Sequence, residues 1–206
     1  MTSPPDKPVI AGLLLAAGGG QRLGGRAKAL LQHRGRPLVE HAVQALRDGG
    51  CGPVHVVLGA AAERVRQEAR LSGCTLVDNT RWADGMGSSL RAGLTSLANA
   101  SPTGRGVDAA LVSLVDQPGV GAAAIARVRS AFRSRDALVA ALYGGERGHP
   151  VLMGVDRWQA VASMAAGDRG ARDYLMAHRS SLVLVECGDV GDPHDIDTVE
   201  DLPRLK

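Results

Sequence analysis

Short apolar runs alternate with amphipathic stretches along most of this chain, and that alternation constrains the fold more than any other feature. Residues 9–15, 54–58 and 109–115 are aliphatic runs with the length of buried strands. Residues 38–46, between the first two runs, carry apolar side chains at helical spacing. Repeated βα order predicts an α/β fold: a single doubly wound, mostly parallel sheet with helices on both faces.

The same two periodicities assign the rest of the chain. Ser88 is expected to cap a helix at its start. No repeat, low-complexity stretch or linker interrupts the pattern, so we expect a single domain over residues 9–206 and a flexible tail at residues 1–8. Further strands are predicted at residues 75–77, 137–143, 150–153 and 182–186, and further helices at 61–70, 88–98, 121–133, 156–164 and 170–177.

A glycine-rich, basic loop follows the first predicted strand. It contains three consecutive glycines, Gly18, Gly19 and Gly20, followed by Arg22, Arg26 and Lys28. Glycine lacks a Cβ atom, so backbone N–H groups approach an anion closely, and the three cations add positive charge at the same place. The loop therefore predicts a triphosphate site, and the alternative is a glycine-rich surface turn.

Two well-known glycine loops are excluded by the order of residues. A Walker A loop needs Lys and then Ser or Thr directly after its last glycine, whereas Gly24 is followed by Gly25 and Arg26. The dinucleotide-binding fingerprint needs a third glycine where this chain has Leu23. The loop is thus of another, longer type.

Carboxylates follow a buried strand and recur near the C-terminus. Asp116 directly follows residues 109–115, at the strand end where α/β proteins bind ligands, and Pro118 stops the strand. Mg²⁺ binds through one or two carboxylates plus substrate phosphates, so Asp116 predicts a magnesium ligand; a turn-forming aspartate is the alternative. Asp195 and Asp197 alternate on an extended segment and can face the same site, or the segment can cap a helix beginning at Thr198.

Composition excludes several classes of function. The chain has 206 residues, of which 45% are apolar and 22% charged, as in ordinary globular proteins. Aromatic residues make up only 2%, which leaves almost no stacking platform for single-stranded nucleic acid. Cys51, Cys74 and Cys187 are an odd number without a Cys-x-x-Cys pair, which favours a reducing compartment. No apolar run is long enough to span a bilayer, so we expect no membrane partner. We also expect a cytoplasmic monomer that binds no nucleic acid.

Read together with its flanks, the glycine loop resembles the signature of the nucleotidyltransferases, and within that superfamily the chain resembles the molybdenum cofactor cytidylyltransferases. The resemblance runs nearly end to end, and its segments stand in the family's order. The segments that carry it are residues 14–18, 28–31, 35–39, 79–90, 114–118, 147–150, 167–172 and 195–202.

This resemblance implies a Rossmann-like fold of the nucleotide-diphospho-sugar transferase type. It implies Mg²⁺-dependent transfer of CMP from CTP to the terminal phosphate of molybdopterin, with the nucleotide bound by the N-terminal half and the acceptor by the C-terminal half. An apo-molybdoenzyme of the xanthine dehydrogenase type is the expected recipient of the product.

The resemblance also assigns roles to individual residues. Asp197 is favoured over Asp195 as the second metal ligand beside Asp116. His149 is not assigned as a base, because the attacking acceptor is already an anionic phosphate. The implied nucleotide-binding residues are Ala16, Ala17, Gly18, Gly19, Gly20, Arg22, Lys28 and Ser88; the catalytic residues are Arg22, Lys28 and Asp116; and the acceptor-binding residues are Arg147, His149, Arg169 and Arg172.

The preference for CTP is inferred from two sequence segments in which this chain differs from the relatives that transfer a guanylyl group. Ala17 stands where those relatives have glycine, and residues 85–89 replace their Gly-Pro-Leu-Ala-Gly segment. Both favour CTP. A sugar- or alditol-phosphate nucleotidyltransferase is the first alternative, and a carrier that binds molybdenum cofactor without turnover is the second.

Overall fold

The computed structural model describes residues 7–100 and 106–206, so most of the expected N-terminal tail lies outside it. Nine strands and six α-helices are found in these ranges. The strands are β1 (Ile10–Ala16), β2 (Gln32–His33), β3 (Arg36–Pro37), β4 (Val54–Leu58), β5 (Cys74–Asp78), β6 (Ala109–Leu114), β7 (Leu138–Tyr143), β8 (Glu146–Gly154) and β9 (Leu182–Glu186). The helices are α1 (Leu38–Asp48), α2 (Ala62–Glu68), α3 (Met86–Asn99), α4 (Ala122–Ser130), α5 (Trp158–Met164) and α6 (Arg172–Ala177).

Seven strands form one sheet in the order β5-β4-β1-β6-β8-β7-β9. The pairs β4–β5, β1–β4, β1–β6 and β7–β9 are parallel, and β8 runs antiparallel to both of its neighbours. The predicted mostly parallel α/β sheet is therefore confirmed. From β1 the chain adds β4 and β5 on one side of the sheet and then places β6 on the other side, so the direction of winding reverses between β1 and β6. Such folds bind ligands at this point, beyond the carboxyl ends of the two strands.

Helices cover both faces of the sheet because side chains of β1 alternate between two cores. Ile10 and Leu14 pack with α1, α2 and α4 on one face. Leu13 and Leu15 pack with α3, α5 and α6 on the other. Leu13 and Leu14 are fully buried, and burial of each such side chain stabilises the fold by ~1.5–3 kcal/mol.

Most predicted element boundaries lie within three residues of those in the structure, and two local predictions differ further. The strand predicted at residues 150–153 begins at Glu146, because Gly144 and Gly145 adopt positive φ and fold β7 and β8 into a hairpin. The predicted serine cap is wrong, since α3 begins at Met86 and Gly85 occupies the N-cap position without a side-chain cap. Ser88 consequently lies inside the first turn.

A short hairpin, one longer 3-10 helix and five 3-10 helices of three residues each complete the described fold. A hairpin, β2 and β3, turns at Arg34 and Gly35, which both have positive φ. A 3-10 helix at Val199–Leu205 ends the chain. No helix within the described ranges is long and apolar enough to cross a membrane.

Candidate active site

The glycine loop and Asp116 meet at one edge of the sheet. The loop follows β1 and Asp116 follows β6, and these parallel strands pair from Ile10↔Ala109 to Leu15↔Leu114. Gly20 has φ +62°, and a Cβ atom built on it would lie 1.9 Å from the carbonyl oxygen of Arg26. Only glycine fits there, so the tight path of the loop is set by this residue.

Lys28 joins two carboxylates from distant parts of the sequence, one in the middle of the chain and one near its C-terminus. Its Nζ atom donates to Asp116 Oδ2 at 2.6 Å and to Asp197 Oδ1. Arg22 Nη2 lies 3.1 Å from the other oxygen of Asp197. Burial lowers the pKa of Lys28, but the two carboxylates outweigh it and leave the pKa above its ordinary value, so the ammonium stays charged.

The segment with Asp195 and Asp197 is fastened beside Asp116 by its backbone. Ile196 N–H donates to the carbonyl of Asp116 at 2.8 Å, and the Ile196 side chain is buried. Asp195 and Asp197 therefore both line the cleft, as their alternation predicted.

The two aspartates have different partners. Asp197 binds Lys28, whereas Asp195 accepts a hydrogen bond from Gln117 Nε2 at 2.9 Å. Burial raises the pKa of Asp195, and the nearby Asp116 and Asp197 carboxylates raise it further.

Helix capping in this segment is carried by other side chains. Thr198 caps the 3-10 helix in a capping box with Asp201, and Asp201 Oδ2 also accepts from the Asp197 N–H at 3.1 Å. The cap thus uses the backbone of Asp197. Its carboxylate is left for Lys28 and Arg22.

The oxygen donors in this cluster suit a hard divalent cation. Asp116 and Asp197 converge on one cationic group, and Mg²⁺ binds through one or two carboxylates together with phosphates and water. Across residues 7–100 and 106–206, no three His, Cys, Asp or Glu side chains gather as a metal group. A metal at this site would therefore take its remaining ligands from substrate and solvent.

The predicted nucleotide residues mostly line one compartment of about 540 Å³. Ala16 and Ser88 do not line it. The Ala16 side chain lies in the core, and the Ser88 hydroxyl lies 2.8 Å from the carbonyl oxygens of Arg81 and Gly85. The lining includes Ala17, Gly18, Gly19, Gly20, Gln21, Arg22, Lys28, Trp82, Ser89, Asp116 and Asp197.

All four predicted acceptor residues line a second compartment of about 370 Å³: Arg147, His149, Arg169 and Arg172. Its walls combine this polar rim with an apolar floor from β1, β6 and β8. The two compartments adjoin, because both are lined by Leu15, Met86, Leu114, Asp168 and Asp195.

His149 is held as a neutral ring in the acceptor compartment. Burial lowers its pKa to about 4, and Arg147 acts in the same direction against the opposing charge of Asp116. The Tyr143 hydroxyl donates to the His149 carbonyl at 2.8 Å. A ring with so low a pKa is a weak base, which agrees with the expectation that His149 does not act as a general base.

Gln117, Ser89 and Tyr143 line the compartments but were not singled out from the sequence. Gln117 had one available signal, since it is a polar residue just beyond the end of a buried strand. The local sequence held no comparable signal for Ser89, because its place in the lining depends on the start of α3 at Met86.

Comparisons with known proteins agree with this geometry. The chain matches the MobA-like NTP transferase domain over residues 12–182. It is 39% identical over 207 residues to a protein named nicotine blue oxidoreductase from Paenarthrobacter nicotinovorans, covering 97% of this chain and 98% of that protein.

Solved structures show the same fold. A homologue of Mycobacterium tuberculosis Rv0371c from Mycobacterium sp. strain JC1 matches with a TM-score of 0.80 at 27% identity, covering 95% of this chain and 94% of that one. A manganese complex of Rv0371c from Mycobacterium tuberculosis H37Rv matches with a TM-score of 0.74 at 24% identity, covering 97% and 98%. With a basic glycine loop after β1 and with Asp116 after β6 joined through Lys28 to Asp197 of the C-terminal segment, the chain belongs to the MobA-like nucleotidyltransferase family.

Proposed function

We propose that this protein transfers CMP from CTP to the terminal phosphate of the molybdenum cofactor and releases pyrophosphate. The observation that carries the proposal is the pair of adjoining compartments. One is lined by a basic glycine loop, and the other by three arginines above an apolar floor. A nucleoside triphosphate fits the first, and a flat heteroaromatic group bearing a phosphate fits the second.

Charge placement suits nucleotidyl transfer. The acceptor phosphate oxygen attacks the α-phosphorus, the new P–O bond forms, and the bond to the β-phosphate oxygen breaks in line with it. Lys28 and Arg22 lie in the nucleotide compartment, where cations stabilise charge that builds on the departing pyrophosphate. No general base is needed, and His149 is too weak a base to serve as one at neutral pH.

Asp116 and Asp197 are the residues that would hold the proposed Mg²⁺. When bound, the ion supplies further neutralisation of phosphate charge. The manganese complex of a structural neighbour supports the use of a divalent ion. Arg22 also contacts Asp197, which keeps this carboxylate directed at the cleft.

The preference for CTP rests on the sequence around the base. Ala17 and Gly18 line the nucleotide compartment, where small residues permit close approach of a base edge. We further propose a cytoplasmic monomer that passes its product to an apo-molybdoenzyme of the xanthine dehydrogenase type. The three free thiols suit such a reducing compartment.

A second candidate function is an oxidoreduction, because a relative covering nearly the whole chain carries an oxidoreductase's name. A two-electron donor such as a reduced nicotinamide nucleotide would pass a hydride to a flat heteroaromatic acceptor. The donor's phosphates would then occupy the glycine loop, and the acidic pair beside Lys28 would have no catalytic task.

The test offers CTP, GTP, ATP and UTP separately to purified protein with Mg²⁺ and either molybdenum cofactor or a sugar or alditol phosphate as acceptor, and follows pyrophosphate release. Release with CTP alone is the expected result. Release with another nucleotide would overturn the base assignment, and release only with a sugar or alditol phosphate would overturn the acceptor. No release, together with oxidation of a reduced nicotinamide nucleotide by a heteroaromatic dye, would favour the second candidate.

A further inference from the structure

The first turn of α3 is packed backbone to backbone against the segment formed by residues 165–172. A Cβ atom built on Gly87 would lie 2.6 Å from the Ala166 nitrogen and 2.8 Å from the Ala165 carbonyl carbon. One built on Gly85 would lie 2.4 Å from the carbonyl carbon of Gly167. All three distances are too short for any side chain, so the two glycines permit this contact.

A second residue of α3 also holds this segment in place. The Arg91 guanidinium donates to the carbonyl of Ala165. Arg91 lines neither compartment, so we assign it a structural role through this contact with the segment.

The fastened segment carries the wall of the acceptor compartment. Arg169 and Arg172 line that compartment, and Asp168 lines both compartments. Arg169 and Arg172 are both exposed. Arg169 forms an ion pair at 2.5 Å with Asp173, which lies in the first turn of α6. The place of these side chains thus depends on how closely residues 165–172 approach α3.

We propose that Gly87, with Gly85 and Arg91, acts as a positioning residue that sets the width of the acceptor compartment. Gly87 lies in a helix, where alanine is ordinarily favoured over glycine by propensity. Any harm from Gly87→Ala therefore comes from the displaced segment. The identity of the acceptor rests on the proposed function, but the positioning role does not.

Two variants and two controls test this role. Gly87→Ala pushes the segment away, and Arg91→Met releases it without adding atoms to the contact. Gly93→Ala is a control in the same helix, because its Cβ would meet Leu13 in the core at 2.4 Å. Gly121→Ala is a second control, since nothing lies within 4 Å of its Cβ.

In the transfer assay with molybdenum cofactor, Gly87→Ala and Arg91→Met should each raise the acceptor KM by about tenfold or more, since misplacement by ~1 Å can cost 10²-fold. The KM for CTP should stay within about twofold of wild type. The double variant should show less than the product of the two effects, because both act on one contact. Equal rises in both KM values, or a selective rise in Gly93→Ala, would overturn the proposal.

Hydrogen exchange separates this proposal from the proposed function, because it requires no substrate. Amides of residues 165–172 should exchange faster in Gly87→Ala and Arg91→Met than in wild type, Gly93→Ala or Gly121→Ala. Unchanged exchange across this segment in both test variants would overturn the positioning role even if the protein transfers CMP. Faster exchange without any turnover would keep it and reject the function.

Discussion

The ion cluster of Lys28, Asp116 and Asp197 is the chemical centre of the cleft at the scale of single residues. Lys28 and Asp116 expose only 15% and 17% of their side chains, so each depends on its partner for the solvation it has lost. Arg22 gives Asp197 a second cation. Loss of one carboxylate therefore leaves a paired cluster, whereas loss of Lys28 leaves Asp116 without its cation.

Asp116→Ala should abolish nucleotidyl transfer and leave the fold intact. The carboxylate lies at a strand end in the cleft, and Lys28 retains Asp197 as a partner. Pyrophosphate release and the melting temperature measure the two effects. Asp78→Ala is the matched control, because Asp78 also ends a strand but pairs with Arg66 outside the cleft lining. A near-normal rate in Asp116→Ala would remove this residue from the metal site.

Lys28→Ala should slow transfer by a factor equivalent to about 2.7–4 kcal/mol, as for the loss of one preorganised electrostatic group. The effect should fall on kcat, because charge builds on pyrophosphate in the transition state. Steady-state kinetics with CTP as the varied substrate separates kcat from KM. A loss confined to KM would instead make Lys28 a clamp for bound nucleotide.

At the scale of elements, the contact between β4 and α3 contains a buried histidine. His55 is 1% exposed, and its Nδ1 lies 3.0 Å from Ser96 Oγ. Burial lowers the pKa of His55 below its usual 6.5, so the folded protein resists its protonation.

The free energy of unfolding should fall as pH drops below 6.5. In this range His55 binds a proton in the unfolded chain but stays neutral in the folded protein, because burial lowers its pKa. His41 and His149 have lowered pKa values as well and act in the same direction. Urea unfolding at pH about 7.5 and about 5 measures the difference. His55→Gln should show a smaller difference than wild type, and an equal one would exclude His55 as a source.

At the scale of the whole molecule, the sheet gathers segments that are far apart in sequence. Residues 18–28 follow β1, Asp116 follows β6, and residues 195–197 come from the C-terminal segment. Lys28 and Arg22 pair with Asp116 and Asp197, so the chain itself compensates the charge of these two carboxylates.

Chelation with EDTA should therefore abolish the proposed transfer without lowering the melting temperature. Mg²⁺ or Mn²⁺ should restore activity. Pyrophosphate release and a thermal melt on the same sample make the comparison. A lower melting temperature in EDTA would show instead that a bound cation supports the fold.

The sequence by itself determined the kinds of elements and the chemistry of the loop. Aliphatic runs and helical spacing predicted the seven strands of the sheet and its helices. This was possible because the faces that an element buries determine the local spacing of its apolar residues. The basic glycine loop and Asp116 were found in the same way, since each begins two residues beyond the end of a strand.

Only the tertiary structure decided which side chains meet. Asp195 and Asp197 are equivalent in sequence, but packing directs one to Gln117 and the other to Lys28. Ser88 and Ser89 are likewise adjacent, and both are buried and accept a hydrogen bond from Asn79, yet only Ser89 lines the nucleotide compartment. These choices depend on contacts between residues more than 75 positions apart or on the start of one helix, and neither is encoded in the local pattern of apolar residues.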